Sequence, residues 1–369
     1  MYKTFIVKNF RGFEEIKIDD LSKINLITGK NNVGKTALLE ALFIHIGAYN
    51  PQLTIRINAF RGFTEIKFEL SPWAESPWES IFNNFDKSKL IELVGEFENN
   101  QQFLIKMKEL QTTIEFKRLQ RITLPSKNIK GALEIPQIIK AFEFKYETQA
   151  HKGGKSFQKI SGGESYIVVT NEGTTITPTP PPPFPGFFLY GREIIRLQED
   201  ADRFGRMEKT GNLEYLVDTL KILEPRLQKL SMILQNGIPT IHGFISGQPH
   251  PIPIPLMGEG MSRLTSIVLA IANAPNGVVL IDEIENGIHY SKLQQLWTAI
   301  TKMANQLNVQ LFVTTHSYEC IESAYYSLKE TNFEDFRMFR LDREDDLVKV
   351  TSYDIQSLES SINVGLEVR

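Results

Sequence analysis

The sequence contains a single cysteine, Cys320, so the chain cannot form an internal disulfide, and we expect it to act in a reducing cytoplasm. No apolar run approaches the ~18 residues that span a bilayer. The first residues, MYKTFIVKNF, lack the apolar core of a signal peptide. A net charge of −3 provides no general attraction to nucleic acid or to an anionic membrane. From these absences we expect a soluble cytoplasmic protein with no membrane partner.

The length of 369 residues exceeds the roughly 250–300 residues that one hydrophobic core supports, so we expect more than one lobe. Near the start, residues 4–18 alternate apolar and polar side chains on both sides of Arg11-Gly12, which predicts a β-hairpin. INLIT then predicts a short strand and ALLEALFIHI (37–46) a helix, with GKNNVGKT between them. Strand, glycine-rich loop and helix in this order are typical of a phosphate-binding loop.

The loop GKNNVGKT fits G-x-x-x-x-G-K-[ST] at every fixed position. In such a loop the backbone N–H groups and the N-terminus of the following helix bind phosphate oxygens. We therefore predict a nucleoside triphosphate site in which Lys35 pairs with the β- and γ-phosphates and the Thr36 hydroxyl binds Mg²⁺. The predicted binding residues are Asn31, Asn32, Val33, Gly34, Lys35, Thr36 and Ala37.

Two later apolar strands end in polar residues suited to the same site. VVLI runs into Asp282, predicted to bind Mg²⁺ beside Thr36, and Glu283, predicted to polarise the attacking water. LFVTT runs into His316, predicted to act in catalysis as a sensor of the γ-phosphate, because parallel strands end in one crevice. The alternatives are two solvated acids and a structural histidine. His289 is a further candidate, at a subunit contact.

Two segments compete for the role of a signature sequence. ISGGES (160–165) differs only at its first and fifth residues from LSGGQ, the signature by which ABC-type ATPases are found. It lies between two strand-like segments and about 120 residues before Asp282, so we interpret it as a hairpin turn. LMGEGMSRL (256–264) instead opens a predicted helix, with Gly258 standing 24 residues before Asp282. We interpret this second segment as a degenerate signature.

The remaining segments predict a mixed architecture. Residues 90–170 are β-rich, and the proline tract 177–186 must be extended, as a stiff connector or a ligand for a proline-reading domain. Residues 192–235 have apolar side chains at helical spacing and predict a helical arm. AFRGFTEIKF (59–68) repeats the opening phrase and predicts a second hairpin. After residue 256, helices and strands alternate as in a mainly parallel sheet, and a terminal hairpin follows.

Between Gln101 and Ile160, twelve Lys/Arg residues stand against five Asp/Glu residues. This local excess predicts either a DNA- or RNA-binding face or ordinary solvated strand faces. The basic residues of the candidate patch are Lys106, Lys108, Lys117, Arg118, Arg121, Lys127 and Lys130.

NFRGF, GKNNVGKTALLEALF, MGEGMSRL, LIDEIENGIHY, TTHSYECI and the closing GLEVR appear in this order. With these motifs the chain resembles the SMC/RecF-like branch of ABC ATPases, and within it the stand-alone ATPases related to the overcoming-lysogenisation-defect (OLD) family. The resemblance implies an α/β P-loop ATPase head with a β-rich subdomain and an inserted helical arm. It also implies a homodimer in which two heads close over ATP. The residues that contact the other head's γ-phosphate are then Gly258, Glu259, Gly260 and Ser262.

The chain departs from the family pattern in two respects. It has no clear Q-loop, for which Arg61 and Gln52 are the nearest candidates, and no TOPRIM nuclease domain follows the ATPase motifs. The predicted division is an ATPase lobe at 1–90 and 246–369, a β-rich subdomain at 91–190 and the helical arm at 191–245.

The leading hypothesis is an ATP-hydrolysing dimeric switch in anti-phage defence or DNA maintenance. It would have no nuclease activity of its own and would control a separate effector protein, such as a TOPRIM-type nuclease. ATP is favoured over GTP because the sequence has no Asn-Lys-x-Asp guanine-binding motif. The alternatives are the ATPase subunit of a membrane transporter and an ATP-gated scaffold without catalysis.

Overall fold

The fold is given by a computed structural model, which describes residues 1–62, 76–110, 119, 138–151, 157–170, 173–191, 197–211, 213–345 and 347–364. In chain order the strands are β1 (Tyr2–Phe10), β2 (Phe13–Ile18), β3 (Ile24–Gly29), β4 (Ile91–Phe97), β5 (Gln101–Leu110), β6 (Ile138–His151), β7 (Phe157–Thr170), β8 (Gly173–Ile176), β9 (Gly186–Leu189), β10 (Leu227–Gln235), β11 (Ile238–Ile245), β12 (Ile252–Pro253), β13 (Val278–Ile281), β14 (Gln310–Thr314), β15 (Phe336–Glu344) and β16 (Leu347–Tyr353). The α-helices of the described residues are α1 (Lys35–Ile46), α2 (Leu53–Phe60), α3 (Leu197–Lys209), α4 (Leu213–Leu220), α5 (Glu259–Ala272), α6 (Leu293–Gln306), α7 (Tyr318–Glu330) and α8 (Ile355–Asn363).

Two large sheets dominate the fold. In the first, seven strands lie in the order β2-β1-β4-β5-β6-β7-β8, and all neighbours are antiparallel. In the second, β15, β3, β14, β13 and β9 are parallel neighbours, and β16 adds an antiparallel edge. Strands β10, β11 and β12 form a small antiparallel sheet. The carboxyl ends of β3, β13 and β14 therefore lie together at one edge, where open α/β sheets bind ligands.

Helix α1 lies between the two large sheets. Its residues from Ala37 to Ile46 are all buried, and one core cluster joins them to both sheets, for example to Phe5 and Phe312. A helix that is apolar on nearly every side must be covered on nearly every side. A second core cluster packs α5 and α6 against the opposite face of the six-stranded sheet. Because this sheet is covered on both faces, its central strands β3, β13 and β14 are buried along their whole length.

Several predictions about local structure are confirmed. The mixed α/β fold, the hairpin β1–β2, the strand–loop–helix unit around α1 and the terminal hairpin β15–β16 are all present. The β-rich segment is also present, and β4 and β5 pair on both sides of Asn99-Asn100 as expected. No helix within the described residues combines the length and the apolar character that crossing a membrane requires. The predicted domain boundaries stay predictions.

The helical prediction for residues 192–235 is wrong in its second half. Helices α3 and α4 are present, but β10 and β11 form a hairpin in place of further helix. Asn236 and Gly237 connect these strands with φ angles of 52° and 79°. An Asn-Gly pair with two positive φ angles is the preferred two-residue hairpin turn. The pairing of β10 with β11 therefore follows this local turn signal and not the helical spacing of the leucines.

The interpretation of ISGGES as a hairpin turn is also wrong. Residues 160–165 lie inside the 14-residue strand β7 and pair with β6. A Cβ atom on Gly163 would lie 2.4 Å from the hydroxyl oxygen of Tyr146 on the neighbouring strand. These glycines therefore make room for an aromatic ring and do not reverse the chain.

The repeated phrase at 59–68 does not begin as a hairpin. Ala59 and Phe60 are the last residues of helix α2, and residues 63–75 lie outside the described part of the chain. The closing GLEVR (365–369) lies outside it as well.

Candidate nucleotide site

The loop between β3 and α1 has the wrapped shape that a phosphate site requires. Gly29, Asn32 and Gly34 have φ angles of 134°, 67° and 114°. A Cβ atom on Gly34 would lie 2.6 Å from the ring of Phe13, so only glycine satisfies both the angle and the space. The Lys35 ammonium donates to two carbonyl oxygens of the loop, at 2.5 and 3.0 Å. The loop therefore wraps around the Lys35 ammonium at the end of β3.

Thr36 and Asp282 come together at the carboxyl end of β13, which is separated from β3 by β14. The Thr36 hydroxyl lies 3.1 Å from each carboxylate oxygen of Asp282, and the Thr314 hydroxyl donates to Oδ1 at 2.6 Å. Burial raises the pKa of the Asp282 carboxyl, although the hydrogen bonds from Thr314 and Thr36 oppose this shift. Burial likewise lowers the pKa of Lys35, against the attraction of Asp282 and the neighbouring acids.

These groups fit the protein side of a Mg²⁺ site. Mg²⁺ prefers hard oxygen ligands, and in phosphate-binding sites it takes one or two from the protein and the rest from phosphates and water. The protein ligands in this site would be the Thr36 hydroxyl and the Asp282 carboxylate. No group of three or more His, Cys, Asp or Glu side chains in the described ranges could hold a metal by itself.

Glu283 and His316 follow the ends of β13 and β14. Glu283 has a φ angle of 49°, and its N–H donates to the Thr314 hydroxyl at 2.9 Å. The Asn286 amide donates to its Oε2 at 2.8 Å, which fixes the direction of the carboxylate. His316 is about half exposed, and its Nδ1 lies 3.9 Å from Glu283 and 3.3 Å from Glu285. Thr36 of the loop and Asp282, Glu283 and His316 from the strand ends thus meet at one edge of the sheet.

The degenerate signature opens helix α5, as predicted. Gly258, with a φ angle of 110°, precedes the helix, and both it and Glu259 are exposed. Gly260 is tightly packed, since a Cβ atom there would lie 2.3 Å from the carbonyl oxygen of Gly287. Ser262 is buried, with its hydroxyl 3.4 Å from the carbonyl oxygen of Gly258. Within LMGEGMSRL, the exposed residues are therefore Leu256, Gly258 and Glu259, whereas Gly260 and Ser262 are packed within the chain.

Arg61 and Gln52, the candidates for the Q-loop, lie on or beside α2. Arg61 binds both carboxylate oxygens of the fully buried Glu40, at 2.7 and 3.1 Å. Arg11, from the NFRGF turn, binds the same carboxylate at 3.1 Å. Gln52 precedes the first residue of α2. Arg61 therefore has a structural partner within the ATPase lobe.

Only two residues of the basic patch, Lys106 and Lys108, lie within the described ranges. Lys106 and Lys108 lie on β5 and pair with Glu92 (3.1 Å) and Glu143 (3.9 Å) on the neighbouring strands. The other five basic residues of the patch lie outside the described ranges. His289, the further histidine candidate, accepts a hydrogen bond from the Ser291 N–H and caps a short turn.

Sequence reasoning missed several residues that organise the site. Thr314 binds Asp282 and Glu283, Glu285 binds the His316 loop, and Asn286 orients Glu283. The signal was proximity in sequence, because each of these residues lies two or three positions from a predicted one. Arg263 of the signature helix was also missed. Its guanidinium donates to the carbonyl oxygens of Tyr190 and Asp282, and no local pattern predicts that contact.

Comparisons with known proteins agree with this geometry. A protein family described as "AAA domain, putative AbiEii toxin, Type IV TA system" matches residues 24–322. An ATP/GTP phosphatase of Helicobacter pylori is 26% identical over an alignment of 379 positions, which covers 97% of each chain. The DNA replication and repair protein RecF of Lactobacillus johnsonii is 30% identical over 108 residues, 25% of this chain and 28% of RecF.

A solved structure shows the same fold over the whole length. An Smc head, crystallised with the C-winged helix domain of ScpA, superposes with a TM-score of 0.50 and 14% identity, over 98% of this chain and 99% of that one.

Proposed function

The chain belongs to the AAA-domain family that matches residues 24–322, as an SMC/RecF-like ABC-type ATPase. We propose that its candidate site binds ATP with Mg²⁺ and hydrolyses the bond between the β- and γ-phosphates. One observation carries this proposal. The Thr36 hydroxyl and the Asp282 carboxylate lie 3.1 Å apart, and Glu283 and His316 follow the same edge of the sheet. This set includes a phosphate cradle, a Mg²⁺ site and a base, which together are sufficient for phosphoryl transfer to water.

Each residue has a distinct role in the proposed reaction. The loop N–H groups and Lys35 bind the phosphates and hold the γ-phosphate in place. Bound Mg²⁺, held by Thr36 and Asp282, supplies charge neutralisation at the phosphate oxygens. Glu283, whose carboxylate is oriented by Asn286, accepts the proton of the attacking water. His316 contacts the γ-phosphate and reports its presence.

Two variants test this assignment. Lys35→Ala removes the phosphate-paired cation and should abolish binding of a fluorescent ATP analogue. Glu283→Gln keeps the shape but loses the base, so it should bind ATP and release phosphate at least about 100-fold more slowly. Glu334→Gln, the same change at an exposed position, is the control and should match wild type. Wild-type turnover by Glu283→Gln would assign the base to another residue.

We further propose that two heads close over ATP and share their sites. The exposure of Gly258 and Glu259 supports this arrangement, because these two residues are available to a second head. A Glu259→Lys variant, which reverses the charge at an exposed position of the signature, should bind ATP without turnover. Mixed with Lys35→Ala, it should recover activity, since each heterodimer then contains one intact composite site. If no mixing ratio restores phosphate release, the heads do not share residues.

The biological role that we propose is a cytoplasmic switch, in anti-phage defence or DNA maintenance, that controls a separate effector such as a TOPRIM-type nuclease. The toxin–antitoxin wording of the family description and the protein partner of the similar Smc head support an effector on another chain. Affinity purification of Glu283→Gln with ATP, followed by mass spectrometry, should retain that effector. Incubation of the pure chain with plasmid or RNA, ATP and Mg²⁺ or Mn²⁺ should leave the nucleic acid intact.

Nucleic-acid binding by the basic patch remains a separate proposal. Its support is the excess of positive charge between residues 101 and 160, although Lys106 and Lys108 are paired with carboxylates. Binding of duplex DNA should weaken steeply as salt rises. The double charge reversal of Lys117 and Arg118 should weaken it at every salt concentration, and unchanged binding would exclude this patch.

A further inference from the structure

One carboxylate oxygen holds the segment that carries His316. Oε1 of Glu285 accepts hydrogen bonds from the Thr315 hydroxyl (2.8 Å) and from the His316 backbone N–H (3.0 Å). The same oxygen lies 3.3 Å from Nδ1 of the His316 ring. Three contacts from one atom therefore constrain the side chain before His316, its backbone and its ring.

The other hydrogen bonds between the two loops end before His316, and Glu283 lies 3.9 Å from the Nδ1 atom of that ring. Glu283 donates its N–H to the Thr314 hydroxyl, and Ile284 donates its N–H to the Thr314 carbonyl oxygen. These bonds join the loop after β13 to the last residue of β14. The His316 side chain is 49% exposed, whereas that of Glu285 is only 11% exposed. Packing therefore orders Glu285 far more than it orders the histidine ring.

From this geometry we propose that Glu285 is the positioning residue for His316, and that it couples the loop bearing Glu283 to the loop bearing the phosphate sensor. The inference rests on the proposed ATPase function. Glu285 has no contact with the nucleotide in this assignment. Its carboxylate fixes the backbone at His316 and the orientation of the ring. The His316 side chain therefore loses little conformational freedom when it contacts the γ-phosphate.

Two substitutions separate this role from a general structural one. Glu285→Ala removes all three contacts, whereas Glu285→Gln keeps an amide oxygen that can accept from Thr315 and from the His316 N–H. We expect Glu285→Ala to lower kcat by about 10- to 100-fold with KM within about twofold of wild type. Glu285→Gln should recover most of that loss. Glu334→Ala, at an exposed glutamate, is the control and should match wild type.

A double-mutant cycle tests whether Glu285 acts through His316. If it does, Glu285→Ala should cause no further loss of kcat on a His316→Ala background, since the group that it positions is already absent. Losses that multiply in the double variant would overturn the proposal, as would a Glu285→Ala variant with wild-type kcat.

Hydrogen–deuterium exchange gives a readout that needs no catalysis. The peptide containing the His316 amide should exchange faster in Glu285→Ala than in wild type, and near wild type in Glu285→Gln. The melting temperature of each variant is recorded to exclude global unfolding. If wild type fails to hydrolyse ATP, the proposed function is wrong, and the exchange result still decides the positioning role. Unchanged exchange in a folded Glu285→Ala variant would overturn it.

Discussion

Replacement of Glu40 should destabilise the fold, because this buried carboxylate is the counter-ion of two arginines. Glu40 lies in the middle of α1, is fully buried, and binds Arg11 at 3.1 Å and Arg61 at 2.7 Å. Arg11 is itself 11% exposed and also donates to Asn58 at 2.8 Å. Burial lowers the pKa of Arg11, and the carboxylate of Glu40 is the main attraction that opposes this shift. In Glu40→Gln, two guanidinium groups would face each other without a counter-ion.

The expected loss of stability follows from this burial. Removing one partner of a buried ion pair costs about 3–5 kcal/mol, because an uncompensated charge is left inside the protein. At about 2.1 cal/mol/K per residue, unfolding a chain of 369 residues has an entropy of roughly 0.8 kcal/mol/K. Glu40→Gln should therefore lower the melting temperature by about 4–6 °C in differential scanning calorimetry.

Glu15→Gln is the matched control for this measurement. The Lys8–Glu15 pair has a similar distance, 3.0 Å, but its side chains are 37% and 57% exposed. Exposed pairs contribute only about 0–1 kcal/mol, so this variant should melt within about 1 °C of wild type. Equal shifts of the melting temperature for the two variants, or no shift for Glu40→Gln, would refute the reasoning that the ion pairs of Glu40 with Arg11 and Arg61 stabilise the fold.

Three further predictions concern the site and the core. Thr314→Val keeps the shape but removes the 2.6 Å hydrogen bond to Asp282, and should lower kcat by about tenfold or more in steady-state assays. Gly34→Ala forces a φ angle of 114° on a residue with a Cβ atom, and should weaken ATP binding by about tenfold in titrations with a fluorescent analogue. Burial lowers the pKa of His45 from 6.5 to about 4, so the unfolded state takes up its proton first as the pH falls. Wild type should lose about 2 kcal/mol of unfolding free energy through this residue between pH 7 and pH 5 in urea titrations, and His45→Gln should lack that loss.

The sequence by itself determined the elements whose signals are local. The sequence correctly predicted the loop from Gly29 to Thr36 and the hairpin around Arg11-Gly12. It also predicted the apolar strands before Asp282 and His316. The physical reason is that turn chemistry, periodicity and phosphate binding are each specified within about ten residues. The helical prediction for residues 192–235 fails from Leu227 onward, because the local Asn236-Gly237 turn joins β10 to β11 in spite of the helical spacing of the leucines.

Only the tertiary structure decided which distant side chains became partners. Arg11 and Arg61 share Glu40, Glu285 reaches the His316 loop, and Gly163 lies beneath the ring of Tyr146. None of these pairings follows from a local pattern, because each depends on how strands and helices far apart in sequence are packed side by side. A buried carboxylate must find a donor within hydrogen-bonding distance, and the fold alone determines which residue supplies it.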